Sequence, residues 1–169
     1  VVDEQHEKLK CKPNPCGGPA ELTYQHLKGN GSPDGSGNFG FINLTGEGGV
    51  GTSELENWIT NGFDKFLKLD DYDARTGNPF SSSHIEEVLD GRVGDLLLFP
   101  VYRKLTGTGT GAKYTIVGWA AFRLTGLDFH GKGEKIFGYF EKVTWAGIQA
   151  GKASPTPPDF GVKNVSLID

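Results

Sequence analysis

The sequence predicts an α+β fold: a mainly antiparallel β-sheet curled towards a barrel or sandwich, with two short helices. Three observations predict it. After residue 94 the chain turns to long apolar-rich runs, at 94–105, 113–125 and 135–145, each bounded by glycine or charged turns. Before that point, two short stretches open with a hydroxyl residue followed three positions later by a glutamate, Ser53 to Glu56 and Ser83 to Glu86. That is the capping-box signature of a helix start. Finally, 26 Gly and 9 Pro make up about a fifth of the 169 residues. Each interior Gly costs a helix about 1 kcal/mol against Ala, which argues against an all-helical bundle.

The elements follow in order. Residues 1–13 read as a charged stub or linker ahead of a β-rich domain at 14–150. The first strand is expected over 21–27 and a glycine-rich turn region over 28–38. A strand with both faces partly covered is expected over 38–44, and a glycine run at 46–51 leads into the first helix. Leu55, Ile59 and Phe63, with Trp58 beside them, form an apolar stripe at helical spacing, and Gly62 marks its end. A short strand is expected at 65–69. Ile85, Val88 and Leu89 give the second helix its apolar face, stopped near Gly91.

In the first long run, Pro100 argues for a sheet edge or a bulge, since it has no N–H to give a ladder. Small residues inside the next two runs, Gly118, Ala120, Ala121 and Gly138, point to tight bends or close sheet packing. Residues 151–158 form a Pro-rich connector, and 159–169 carry a final strand.

Leu, Ile, Val and Phe make up about a quarter of the chain. That exceeds the roughly 20% below which disorder is expected and supplies a real core. The longest uncharged apolar run, 115–122, is far short of the ~20 residues of a bilayer-spanning helix. With a net charge of −4 and no basic cluster, the chain lacks the electrostatic footprint of a nucleic-acid binder. It starts at Val1 and contains no Met, so a removed leading segment, such as a signal peptide or membrane anchor, is expected. Cys11 and Cys16 lack the further Cys or His ligands of a zinc site, so a local disulfide in an oxidising compartment is the better reading.

Several motifs invite chemistry. Residues 46–51 fit G-x-G-x-x-G, with Asp70 and Asp71 about 20 residues on, where a dinucleotide site places its ribose-binding carboxylate. Only one candidate βαβ unit exists, however, and 35–40 matches the same expression inside a loop. No cofactor is expected. Asp70, Asp71 and Asp73 resemble part of a calcium loop, but Arg75 and Ser82 fall where an EF-hand needs ligands. A calcium site of another geometry, or a plain solvated turn, remains open there. His6, His26, His84 and His130 share no metal-ligand spacing, and no G-x-S-x-G or H-E-x-x-H occurs. No catalytic residues are assigned. Three glycosylation sequons begin at Asn30, Asn43 and Asn164, of which only Asn30 lies in an expected open loop.

The linear succession of segments carries a resemblance. A cysteine turn, NFGFINL, a glycine run, a capped helix with W-I-x-x-G and a TGN turn form the first half. GRVGDLLLFPVY, YTIVGWAAFRLTG, IFGYFEKV and DFGVKNVSLI form the second. Over residues 14–168 this resembles the extracytoplasmic part of TadG-like proteins, the Flp (tight-adherence) pilus-assembly family of bacteria. The resemblance implies an extracytoplasmic domain, normally behind an N-terminal membrane helix, associated with a cell-surface adhesion pilus. With no catalytic constellation in the sequence, the expectation is a non-enzymatic domain that serves pilus assembly, adhesion or filament structure. It implies pilus or envelope proteins as partners. The last strand, with Phe160, Val162, Val165 and Leu167, is the expected interaction strand, able to add to a sheet in the same or a neighbouring molecule. The alternative is a secreted domain that binds calcium, sugar or nucleotide, or an uncharacterised enzyme. Tyr72 or Trp145 would then be candidate sugar contacts.

Overall fold

The computed structural model describes residues 1–5, 9, 18–23, 26–27, 33–34, 40–46, 50–65, 67–75, 80, 83–107, 111–130, 133–145, 160 and 162–164. Its centre is β7 (Lys113–Asp128), a 16-residue strand. On one side it pairs antiparallel with β6 (Leu96–Thr106) along that strand's whole length. On the other side its first residues pair with β5 (Asp71–Asp73) and its last with β8 (Lys135–Glu141), both antiparallel. β2 (Pro19–Thr23) extends the sheet beyond β8, and β1 (Val2–Asp3) lies parallel to β6 at Val101 and Tyr102. The resulting six-stranded sheet is mixed but mainly antiparallel, and it curls into a half-barrel. The fold is α+β.

The curl has identifiable causes. Register shifts interrupt the β6–β7 ladder between Val101 and Lys104, and the β7–β8 ladder between Leu124 and Gly126. Bulges of this kind bend a strand and sharpen its twist. Small residues let the layers approach. A methyl group on Gly138 would lie 2.0 Å from the Arg123 carbonyl oxygen and 2.7 Å from the Phe122 ring.

Two buried clusters use the sheet. One joins Leu22, Val101, Phe122, Leu124, Ile136 and Phe140, with Phe99 stacked on Phe122 at 5.2 Å and Phe140 edge-on to it at 5.0 Å. The other joins Ile42, Tyr102, Tyr114, Ile116 and Trp119. A third, smaller cluster holds the helices: Leu55 of α1 (Thr52–Asn61) meets Ile85 and Leu89 of α2 (Ser83–Asp90).

Several elements depart from the sequence expectation. Residues 1–5 are no stub: β1 joins the sheet, Val2 is 0% exposed and Leu9 1%. Val2 and Leu9 join the main core and Val1 the second cluster, despite charged neighbours. Of the strand expected over 21–27, residues 21–23 belong to β2 (Pro19–Thr23), and 26–27 form the two-residue β3 (His26–Leu27), which pairs with β4 (Pro33–Asp34). Residues 40–43 make only a single bridge, Ile42 to Ala74, in place of a strand. The strand expected at 65–69 falls instead at β5, where Asp71 and Asp73 align with Thr115 and Lys113.

α1 starts at Thr52 with Gly51 as its cap, and the Glu54 carboxylate accepts from the Gly51 N–H at 3.2 Å. The box thus sits two residues earlier than Ser53 and Glu56. Gly62 ends the helix as expected, at φ 82°, with its N–H donating to the Trp58 carbonyl. The run 135–145 is broken at Lys142 into β8 and β9 (Val143–Trp145), and β10 (Val162–Asn164) pairs parallel with β9. Among the described residues, no helix is long and apolar enough to cross a membrane.

Candidate functional site

A cleft of about 510 Å³ lies between α1 and the first half of β6. Ligand sites typically occupy roughly 300–1,000 Å³. Its existence follows from the local sequence. The α1 stripe buries Leu55 against α2, while Trp58 and Ile59 are only half-covered and turn to the cleft. After Gly62 the chain folds back, and Phe63 packs edge-on to Trp58 at 5.5 Å. Opposite lie residues 96–100 of β6, all of which line the cleft. Ile42 and Leu44 from the irregular 40–46 segment close a further side.

The lining is apolar with three charged residues, Asp64, Lys65 and Arg92. Arg92 is occupied: its Nε lies 3.1 Å from Asp95 Oδ2, and its Nη1 donates to the Thr60 carbonyl at 3.2 Å. Among the described residues, no histidine or cysteine lines the cleft. The clearly perturbed side chains lie elsewhere. Burial pushes the Tyr102 hydroxyl well above its ordinary range, and the Asp3 charge adds to the shift. Burial does the same to Tyr114. Chemically, such a cleft can shelter apolar groups from water.

One feature of β6 adds to this. The Leu124 N–H donates to the Asp95 carbonyl at 3.0 Å, so the odd-numbered residues entering β6 turn their backbone groups towards β7. The even-numbered ones turn the other way, as shown by Glu4 N–H donating to the Tyr102 carbonyl at 2.9 Å. Beyond β1, this second edge of β6 has no strand beside it at residues 96–99 among the described residues.

The residues singled out in the sequence are dispersed. Asp71 and Asp73 lie in β5, where Asp73 pairs with Lys113 Nζ at 3.2 Å, and Asp70 Oδ1 accepts the Asp71 N–H at 2.8 Å. They border a small polar recess with Thr45 and Lys113. Among the described residues, no group of three or more His, Cys, Asp or Glu side chains is placed to hold a metal ion. The glycine run at 46–51 does precede α1. The two parallel pairs among the described residues, β1–β6 and β9–β10, do not flank that helix, so the run is not the turn of a dinucleotide-binding βαβ unit.

Asn43 is 4% exposed, and its Oδ1 accepts both the N–H and the hydroxyl of Thr45, which makes it an Asx turn and no open glycosylation acceptor. Cys11, Cys16, Asn30, Val165 and Leu167 lie outside the described residues. Phe160 packs on the main core and Val162 on the second cluster.

Sequence reasoning did not single out the cleft. Its signal was Leu96-Leu97-Leu98-Phe99: four consecutive apolar residues are more than a strand with one solvated face requires. The chain matches no family model, no curated protein and no solved structure.

Proposed function

We propose that this is a non-enzymatic binding domain that works outside the cytosol in the assembly of tight-adherence pili, and that the α1–β6 cleft is its contact site. The cleft's apolar lining is the observation that carries the reading. A site of about 510 Å³ walled by Trp58, Ile59 and residues 96–100 offers burial of apolar surface, with no acid, base and nucleophile brought together among the described residues. The resemblance of the segment order to TadG-like proteins directs that binding to pilus assembly at the cell surface.

Ile59→Glu tests the reading. Ile59 is half-covered at the cleft wall, so a carboxylate there keeps its hydration while spoiling the apolar surface. The purified variant is expected to keep the circular dichroism of the parent. Calorimetric titration with an apolar reporter such as phenylnaphthylamine should show at least tenfold weaker binding. Cells carrying the variant should show fewer surface pili by electron microscopy. Unaltered reporter binding and pilus number in a folded variant would overturn the proposal.

A further inference from the structure

We propose that the cleft is a strand-accepting slot, in which an extended apolar segment of a partner polypeptide adds to the sheet along residues 96–99 of β6, in line with β1. This rests on the cleft's being a binding site and names what it takes. Two independent observations converge. The first is the sheet edge. β6 is laddered to β7 throughout, but among the described residues its other edge is paired only by β1, at Val101 and Tyr102. By the alternation fixed at Asp95 and Tyr102, Leu96 and Leu98 direct their N–H and C=O groups to this edge, beside which no other described strand lies. The second is that this edge faces an apolar enclosure, walled opposite by the Trp58 and Ile59 side of α1.

A purely aliphatic ligand fills such an enclosure and shuts those peptide groups away from water without partners, which is unfavourable. An extended peptide satisfies both demands at once: its backbone continues the ladder and its side chains occupy the apolar walls. The slot is bounded at one end by Pro100, which has no N–H to offer, and by Val1. The length from residue 96 to 99 spans about 10 Å at the ~3.3 Å rise of a strand, room for three or four partner residues. α1 and the chain after Gly62 stand over the slot, so a single extended chain fits it better than the edge of a second folded sheet.

The test uses a blocked pentapeptide of alternating valine and threonine, and the same peptide N-methylated at alternate residues so that one ladder edge is lost. NMR on the intact chain follows the amide exchange of Leu96 and Leu98. The unmodified peptide is expected to bind saturably and slow both amides at least tenfold, and the N-methylated one to bind at least tenfold more weakly. Equal binding of the two peptides, or binding that leaves Leu96 and Leu98 unprotected, overturns strand addition. Dodecanoate separates the two levels of the proposal. If dodecanoate binds in the cleft and the peptide does not, strand addition fails and the apolar binding site stands. If neither binds at millimolar concentration, both fail.

Discussion

Gly118 and Gly138 show what a missing side chain contributes. A methyl on Gly138 would meet the Arg123 carbonyl oxygen, part of the β7 backbone, which cannot swing aside. Gly138→Ala is therefore expected to cost about 3 kcal/mol or more, read from urea unfolding. At Gly118 the obstacle is the Phe160 ring, 2.5 Å from the added carbon, and a ring can be removed. Gly118→Ala should destabilise the protein by about 1–3 kcal/mol, and by clearly less in a Phe160→Ala background. Additive costs in that double-mutant cycle would show that the ring does not sit on the glycine in solution.

The tyrosine pair makes a pH prediction. Tyr102 and Tyr114 pack edge-on at 4.6 Å in the second cluster, and burial raises both hydroxyl pKa values above the ordinary value of 10.0. The unfolded chain then releases these protons first. Their contribution to stability is whole below about pH 10 and is lost as the pH rises beyond it, with a slope of up to ~1.4 kcal/mol per pH unit for each tyrosine. Absorbance at 295 nm should show two of the five tyrosines ionising only as the protein unfolds, and one fewer in Tyr114→Phe.

At the level of elements, the helical pair is held by packing more than by its cap. Leu55 is 4% exposed and Ile85 0%, and together with Leu89 they are the buried residues of their cluster among those described. Ile85→Ala should cost about 3 kcal/mol. Glu54→Ala, which removes an exposed 3.2 Å contact to Gly51, should cost only about 0.5–1 kcal/mol. Thermal melts of the two variants would rank the effects, and a larger loss for Glu54→Ala would contradict this assignment.

Both helices were legible because periodicity and a following glycine act within one or two turns of chain. The long strands β6, β7 and β8 were legible for the same reason, and Pro100 correctly announced the irregular ladder at Val101 and Tyr102. What the sequence concealed depends on partners far away in the chain. Val2 becomes a strand residue because Val101 lies beside it, and residues 40–43 divide their backbone bonds between Val1, Asp73 and Arg75 instead of extending one ladder. The candidate site was concealed likewise. The apolar run at 96–99 was visible, whereas the absence of a strand along its second edge among the described residues is a property of the sheet order.

Across the whole molecule, the sheet is closed by strands distant in sequence: β1 lies on β6, and β2 at the other border lies on β8. Such pairings require loop closure before any contact rewards it, which makes folding slow, on the order of milliseconds to seconds. The C-terminal segment is attached differently. Among the described residues, β10 contacts chiefly β9 and β7, with Phe160 seated over Gly118 and Val162 against the second cluster. It closes over a sheet whose other members already pair with one another.

Ending the chain after Trp145 should therefore leave the far-ultraviolet spectrum close to that of the full chain. It should lower stability by about 2–4 kcal/mol, the amount expected from losing two partly buried apolar side chains and a three-residue ladder. A peptide spanning residues 159–169, added to the truncated protein, should restore part of the lost melting temperature in proportion to its concentration, because it binds the folded form alone. Phe160→Ala in that peptide should abolish the rescue. Complete unfolding on truncation would instead make the segment part of the folding unit itself, and an unchanged melting temperature would mean that Phe160 contributes nothing at Gly118.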